Sequence, residues 1–250
     1  MRAWWTLTRR ELAGFFLSLS GYIIIAAAVF MMGYSFVVLL VKLQQEPTPM
    51  PVTEVFYNTQ FFWLIVILTT PMITMRLFAL EKFSGTFETL MTTPVSDLQV
   101  VLAKFTAAMV FYTVMWLPLL PCLFVVQHYT HDPAAFDPGT AASTFLGILL
   151  LGSLLISLGC CASALTRSQV IAAMISLAFG AGVFMLAWIA DQLPAPVTWQ
   201  GHVLASFTLF DQMHDFVRGV VDTRPVVLLG SLTLFFLFLT LRVVESRRWK

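Results

Sequence analysis

Six charge-free apolar stretches, each long enough to cross a bilayer, constrain this chain more than any motif in it. They run Tyr22 to Val41, Val55 to Met75, Phe105 to Val126, Thr140 to Leu165, Ser168 to Ala190 and Pro225 to Leu241. A helix of about 20 residues spans the roughly 30 Å hydrocarbon core. Inside that core every backbone N–H and C=O must be paired within its own segment, and runs rich in Leu, Phe, Ala and Gly without strict alternation favour helices over a barrel. The sequence therefore predicts an all-α, polytopic membrane protein. One membrane domain covers residues 1–250, with 1–19 as an interfacial helix, 80–97 as a polar-side loop and 191–224 as an outer amphipathic or re-entrant segment.

Composition narrows the class further. Hydrophobic residues make up 59% of the chain, charged residues 11%, and the formal net charge is +1. No basic field exists to attract nucleic acid, and the composition argues against a soluble enzyme. The run from Tyr22 to Val41 exceeds the 7–15-residue apolar region of a secretory signal, so it reads as the first span. Cys122, Cys160 and Cys161 all fall inside spans, as small buried apolar residues rather than a disulfide framework.

Basic residues near the span ends set an orientation. With the N-terminus cytoplasmic, the inner side holds Arg2, Arg9, Arg10, Arg76, Lys82, Lys104, Arg167, Arg242, Arg247, Arg248 and Lys250. Lys42, Arg218 and Arg224 are left outside, which is 11 against 3 of the 14. Both termini are then expected in the cytoplasm.

Ahead of the first span, Trp4, Trp5, Leu12, Phe15, Phe16 and Leu19 alternate with Arg2, Thr6, Arg9 and Arg10 at helical spacing. That pattern reads as an interfacial helix touching anionic lipid, or as a plain topogenic charge cluster. Pro47, Pro49 and Pro51 forbid a continuous helix in the first outer loop, predicting an extended link. Pro71, Pro118 and Pro121 lie within spans and predict kinks, either hinges or static shape. Ala172, Ser176 and Gly180 recur every four residues on one face, a small-residue pattern that suits a contact between two copies or packing within one. In the outer segment, Phe207, Phe210, Val217 and Val221 share a face, while Asp211, Asp215, Arg218 and Asp222 stand at ion-pair spacing. Asp215, Arg218 and Asp222 are candidates for an outer gate, on a helix at the membrane surface or in a soluble loop.

The inner loop from Arg76 to Lys104 is the most informative. Phe83, Phe87, Leu90 and Met91 fall at i, i+4, i+7 and i+8, an apolar stripe on a short helix that Pro94 ends, with Ser96 or Asp97 placed to cap the next. Such a ridge either docks in a partner's groove or lies against the membrane and bundle.

The segment from Met75 to Ser96, centred on Gly85-Thr86-Phe87-Glu88-Thr89-Leu90-Met91-Thr92-Thr93-Pro94-Val95-Ser96, resembles the coupling helix of ABC transporter permeases of the type-2 export class. The similarity is strongest to the branch associated with gliding motility and copper-enzyme maturation. Arg9 to Phe16 looks like that family's connecting helix, and Phe210 to Asp222 like its outer segment before the last span. Ser18-Leu19 stands where relatives often have Ser-Pro, and the chain has no large outer domain. The resemblance implies an exporter permease in the bacterial cytoplasmic membrane, paired with a second copy or a related permease. It makes Phe83, Gly85, Phe87, Glu88, Leu90, Met91 and Pro94 the residues that couple to an ATPase.

None of Lys42, Lys82, Lys104 or Lys250 follows a glycine, so the chain has no phosphate-cradling G-x-x-x-x-G-K-[ST] loop. ATP and Mg are thus expected on a partner ATPase, with no cofactor and no metal held here. The competing classes are a non-transporting scaffold and an intramembrane enzyme. The latter would need a base near Ser153 or Ser157, and no H-E-x-x-H pattern is present. His128 and His131 beside Asp132 read as a surface loop pair, since no third ligand is fixed.

Overall fold

The computed structural model describes residues 2–45, 51–87, 95–130, 137–192 and 209–246, and among them there is no strand. The helices are α1 (Arg2–Phe16), α2 (Leu19–Gln45), α3 (Val52–Tyr57), α4 (Gln60–Thr74), α5 (Ala79–Ser84), α6 (Asp97–Trp116), α7 (Leu119–Thr130), α8 (Pro138–Leu165), α9 (Gln169–Gln192), α10 (Leu209–Val217) and α11 (Thr223–Ser246). Among the described residues, six stretches are long and apolar enough to cross a membrane: Leu19–Lys42, Gln60–Ser84, Asp97–His128, Pro138–Leu165, Gln169–Leu186 and Thr223–Ser246. The protein is all-α and multi-pass.

Proline explains where the third span breaks. Pro118 has no N–H to continue the ladder, so Leu117 closes α6 by donating to Thr113 O and Val114 O at 3.2 and 3.3 Å, and α7 begins afresh at Leu119. Pro121 sits in the first turn of α7, where a missing donor costs little. Pro71 is accommodated inside α4, three residues before that helix ends. The link after α2 is not wholly extended, because Val52–Tyr57 forms the short α3.

Helix α8 is the centre of the bundle, buried along most of its length. Its glycines let bulky neighbours approach. A Cβ on Gly152 would stand 2.2 Å from Tyr112 Cε1, one on Gly159 2.2 Å from Thr74 Oγ1, and one on Gly147 2.9 Å from Phe216 Cβ. Lipid supplies no hydrophobic drive between helices, so close backbone approach of this kind is what holds α4, α6 and α10 against α8. Helix α11 lies parallel to α8, with Ser153 Oγ 3.0 Å from Thr233 Oγ1 and Cys161 bonded to Thr240. Its C-terminal end therefore sits at the same end of the bundle as the close of α8, where Lys82 bonds Ala164 O.

The small-residue face of α9 points inward. Ala172 and Ser176 are 1% and 3% exposed, and Gly180 is buried with Leu155 nearest to it. Of the two readings of Ala172, Ser176 and Gly180, a contact between copies or packing within one, this burial supports packing within one subunit. The close approach they permit is used within the subunit, while Val170, Ile171, Met174 and Phe179 face outward.

Candidate functional site

Helix α5 is held by its surroundings rather than by its own six residues. Phe78 N and Ala79 N both donate to Ser163 Oγ at 3.1 Å, and that hydroxyl donates to Met75 O at 3.3 Å. A side chain of α8 thus satisfies the start of α5, whose first N–H groups have no partner of their own. Gly85, at φ 74°, ends the helix in the left-handed conformation that glycine adopts most readily. On the buried side of α5, Lys82 donates to Ala164 O at the C-terminal end of α8, where the helix dipole favours a cation, and lies 5.3 Å from the Phe87 ring centroid.

Next to it is a four-charge node. Arg10 Nη2 bonds Glu11 Oε1 at 2.7 Å and Glu81 Oε1 at 2.8 Å. Lys104 Nζ meets the same two residues, Glu11 Oε1 at 3.1 Å and Glu81 Oε2 at 3.0 Å. Each cation touches both carboxylates, so α1, α5 and α6 are tied at one point. The Lys104 side chain is 2% exposed, a burial that a lone ammonium could not sustain. Burial, the largest influence on Glu11, pushes its carboxyl up, but Lys104 and Arg10 outweigh it and hold the group below its usual 4.5. Stacking of Phe15 on Phe111 at 4.9 Å fixes α1 to α6 and places the charges.

The expected coupling residues separate here. Phe83 is 77% exposed on α5, whereas Phe87, past the Gly85 cap, is 7% exposed under Lys82. The two do not share one exposed stripe, because the left-handed turn at Gly85 ends the helix between them. Glu88, Leu90, Met91 and Pro94 lie outside the described residues. Ser96 caps α6 as expected, accepting from Gln99 N at 3.4 Å.

At the opposite end of the bundle, the Arg218 guanidinium hydrogen-bonds neither of the carboxylates expected beside it on its helix. Its Nε and Nη2 both donate to Glu54 Oε1, at 3.1 and 2.9 Å, and His214 Nε2 lies 3.0 Å from the same oxygen. Glu54 is buried on α3, so this clasp joins α3 to α10. Burial pushes its carboxyl up; Arg218 and then His214 more than offset that and hold it below the usual 4.5. Thr53 Oγ1 donates to Val217 O at 2.9 Å, and Ser143 Oγ at the start of α8 bonds Phe216 O. The Asp215 carboxylate acts on the Arg218 guanidinium through its charge, while its backbone O accepts from Arg218 N at 3.2 Å; Asp222 instead accepts from Arg224 N at 3.1 Å as α11 begins. Helix α10 packs on α8 through Phe216, so it belongs to the bundle rather than lying free on its surface.

Sequence reasoning missed both the Glu54 clasp and the node, since their partners stand up to 164 positions apart. The one available signal was Lys104 itself, a cation eight residues into an apolar helix. Ser153 and Ser157 meet Thr233 Oγ1 and Leu154 O, partners that do not activate a nucleophile. His128 is exposed, and His131 and Asp132 lie outside the described residues.

A family model described as "ABC-2 family transporter protein" matches residues 7–242, from α1 to near the end of α11. No curated protein matches the chain.

Proposed function

We propose, on the premise that the chain belongs to the ABC-2 family of transporter proteins, that this membrane permease subunit works as half of an exporter driven by a separate ATPase. Two permeases, a second copy or a related chain, join two nucleotide-binding subunits that hold ATP and Mg, and cargo moves along the interface between the permeases. The resemblance of the Gly85 to Ser96 stretch supports reading the chain with the gliding-motility-associated branch of a bacterial cytoplasmic membrane, and the 11-to-3 asymmetry of basic residues supports both termini inside.

The observation that carries this reading is the attachment of α5. One face presents Phe83 outward, and the other is wired to three helices by Glu81, Lys82 and the Ser163 hydroxyl. A push on Phe83 moves α1 and α6 through the charged node and α8 through Lys82. Helix α8 ends beneath α5 and begins against α10 through Ser143, so it links the motor end to the Glu54–Arg218 clasp. Burying Phe83 in a partner groove contributes roughly 1.5–3 kcal/mol.

A photo-crosslinking residue placed at position 83 tests the proposal in native membranes. It should capture a protein that binds ATP, and a probe at Phe30, exposed on α2, should not. Capture of lipid alone at position 83, in a complex that still hydrolyses ATP, would refute the assignment of α5.

A further inference from the structure

A cavity of about 110 Å³ lies between α1 and the turn that follows α4, lined by Glu11, Gly14, Phe15, Arg76, Leu77 and Leu80. It holds several times the roughly 10–15 Å³ that a single water needs. Three of these residues are apolar, and Arg76 brings a fixed positive charge. Its Nη1 donates to Ser20 Oγ and, at 3.4 Å, to Ser18 Oγ, and among the described residues no carboxylate lies within ion-pair distance of it. The neighbouring node contains Arg10 and Lys104 against Glu11 and Glu81. With Arg76, three cations face two carboxylates, leaving one positive charge uncompensated at the mouth of an apolar hollow. Glu11 in the wall is already committed to Lys104 and Arg10, so it does not neutralise Arg76. The first turn of α2, starting at Leu19, adds the positive end of its helix dipole beside the same serines.

A ligand that satisfies this site is amphiphilic, with an anionic oxygen group for the guanidinium and an apolar part for Phe15, Leu77 and Leu80. We propose that the cavity seats the headgroup phosphate of an anionic phospholipid, with Arg76 as its forked donor and Ser18 and Ser20 beside it. Arg76 stands two residues past the end of α4, inside the Gln60–Ser84 stretch and just beyond its charge-free run to Met75, where a guanidinium can reach a lipid phosphate. The site differs from a diffuse basic surface such as Arg9 because it is concave and its charge is held in place by two hydroxyls. Lipid seated there would brace α1 against the turn leading to α5.

Purified, delipidated protein in neutral detergent tests the proposal with three additions: phosphatidylglycerol, phosphatidylcholine and inorganic phosphate. Phosphatidylglycerol should remain bound as one molecule per subunit in native mass spectrometry and raise the thermal midpoint by a few degrees. Phosphatidylcholine and inorganic phosphate should do neither. Arg76→Gln should weaken phosphatidylglycerol about tenfold through the lost charge-assisted fork. Gly14→Leu is the second variant: Gly14 lines the hollow and a Cβ there meets nothing within 4 Å, which leaves room for a side chain without displacing the node. It should keep the helicity of the unmodified protein and lose the lipid response. An equal response to phosphatidylcholine, or to inorganic phosphate, would overturn the lipid assignment. So would a Gly14→Leu protein that binds phosphatidylglycerol unchanged, whether or not Arg76→Gln folds.

Discussion

Glu54 and Arg218, 164 positions apart, are joined through a single oxygen: Glu54 Oε1 accepts from both Nε and Nη2 of the guanidinium, at 3.1 and 2.9 Å. The carboxylate is buried and the arginine half exposed, so the pair ties a solvent-facing cation to a buried anion. Arg218→Ala should leave membrane level and helicity intact, lower the thermal midpoint, and change transport-coupled ATPase activity. The exchanged pair, Glu54→Arg with Arg218→Glu, should recover part of both losses. Unchanged coupling in Arg218→Ala would reduce the clasp to a structural tie.

Acid should loosen both ends of the bundle. Glu11 and Glu54 are held below their usual 4.5, so each contributes stability that is present above that value and lost as the pH falls through the depressed one. The thermal midpoint should be level from neutrality down to about pH 5 and decline below it. Glu54→Gln should flatten part of that decline. An identical acid slope in this variant would show that the clasp carboxylate does not contribute.

Lys104 tests the node. Removing one partner of a buried ion pair typically costs roughly 3–5 kcal/mol, because the remaining charges lose compensation. Lys104→Met should therefore destabilise the subunit strongly, and Lys104→Met with Glu81→Gln should be less harmful than the sum of the two single changes. Simple additivity in a double-mutant cycle would mean that Lys104 and Glu81 do not interact.

The span pattern made the helical class legible, because bilayer thickness dictates run length, and Pro118 marked the break before α7. Burial was legible only in part. Ala172, Ser176 and Gly180 announced close packing, but a four-residue repeat has the same spacing whether the neighbour is α8 or another subunit. Phe83 and Phe87 have helical spacing, yet one left-handed residue, Gly85, parts them. The Lys104 node and the Glu54 clasp depend on which distant helices become neighbours, and local periodicity does not encode that.

Packing around α8 separates two glycines. Gly152→Ala places a methyl 2.2 Å from Tyr112 Cε1 and should cost roughly 1–3 kcal/mol through forced displacement. Gly182→Ala on α9 meets nothing within 4 Å and should be neutral or slightly stabilising. Equal thermal midpoints for the two variants would contradict the close approach of α6 to α8.

The most direct measurement compares ATPase pull-down by Phe83→Asp and Phe87→Asp permeases, each alongside the thermal midpoint of the purified subunit. Phe83 faces outward, so Phe83→Asp should reach the membrane at normal level, melt at the unmodified temperature, and fail to retain the ATPase or stimulate its activity. Phe87 is buried beneath Lys82, so Phe87→Asp should lower the midpoint of the permease itself. A Phe83→Asp permease that retains its ATPase with normally stimulated hydrolysis would contradict α5 as the coupling element.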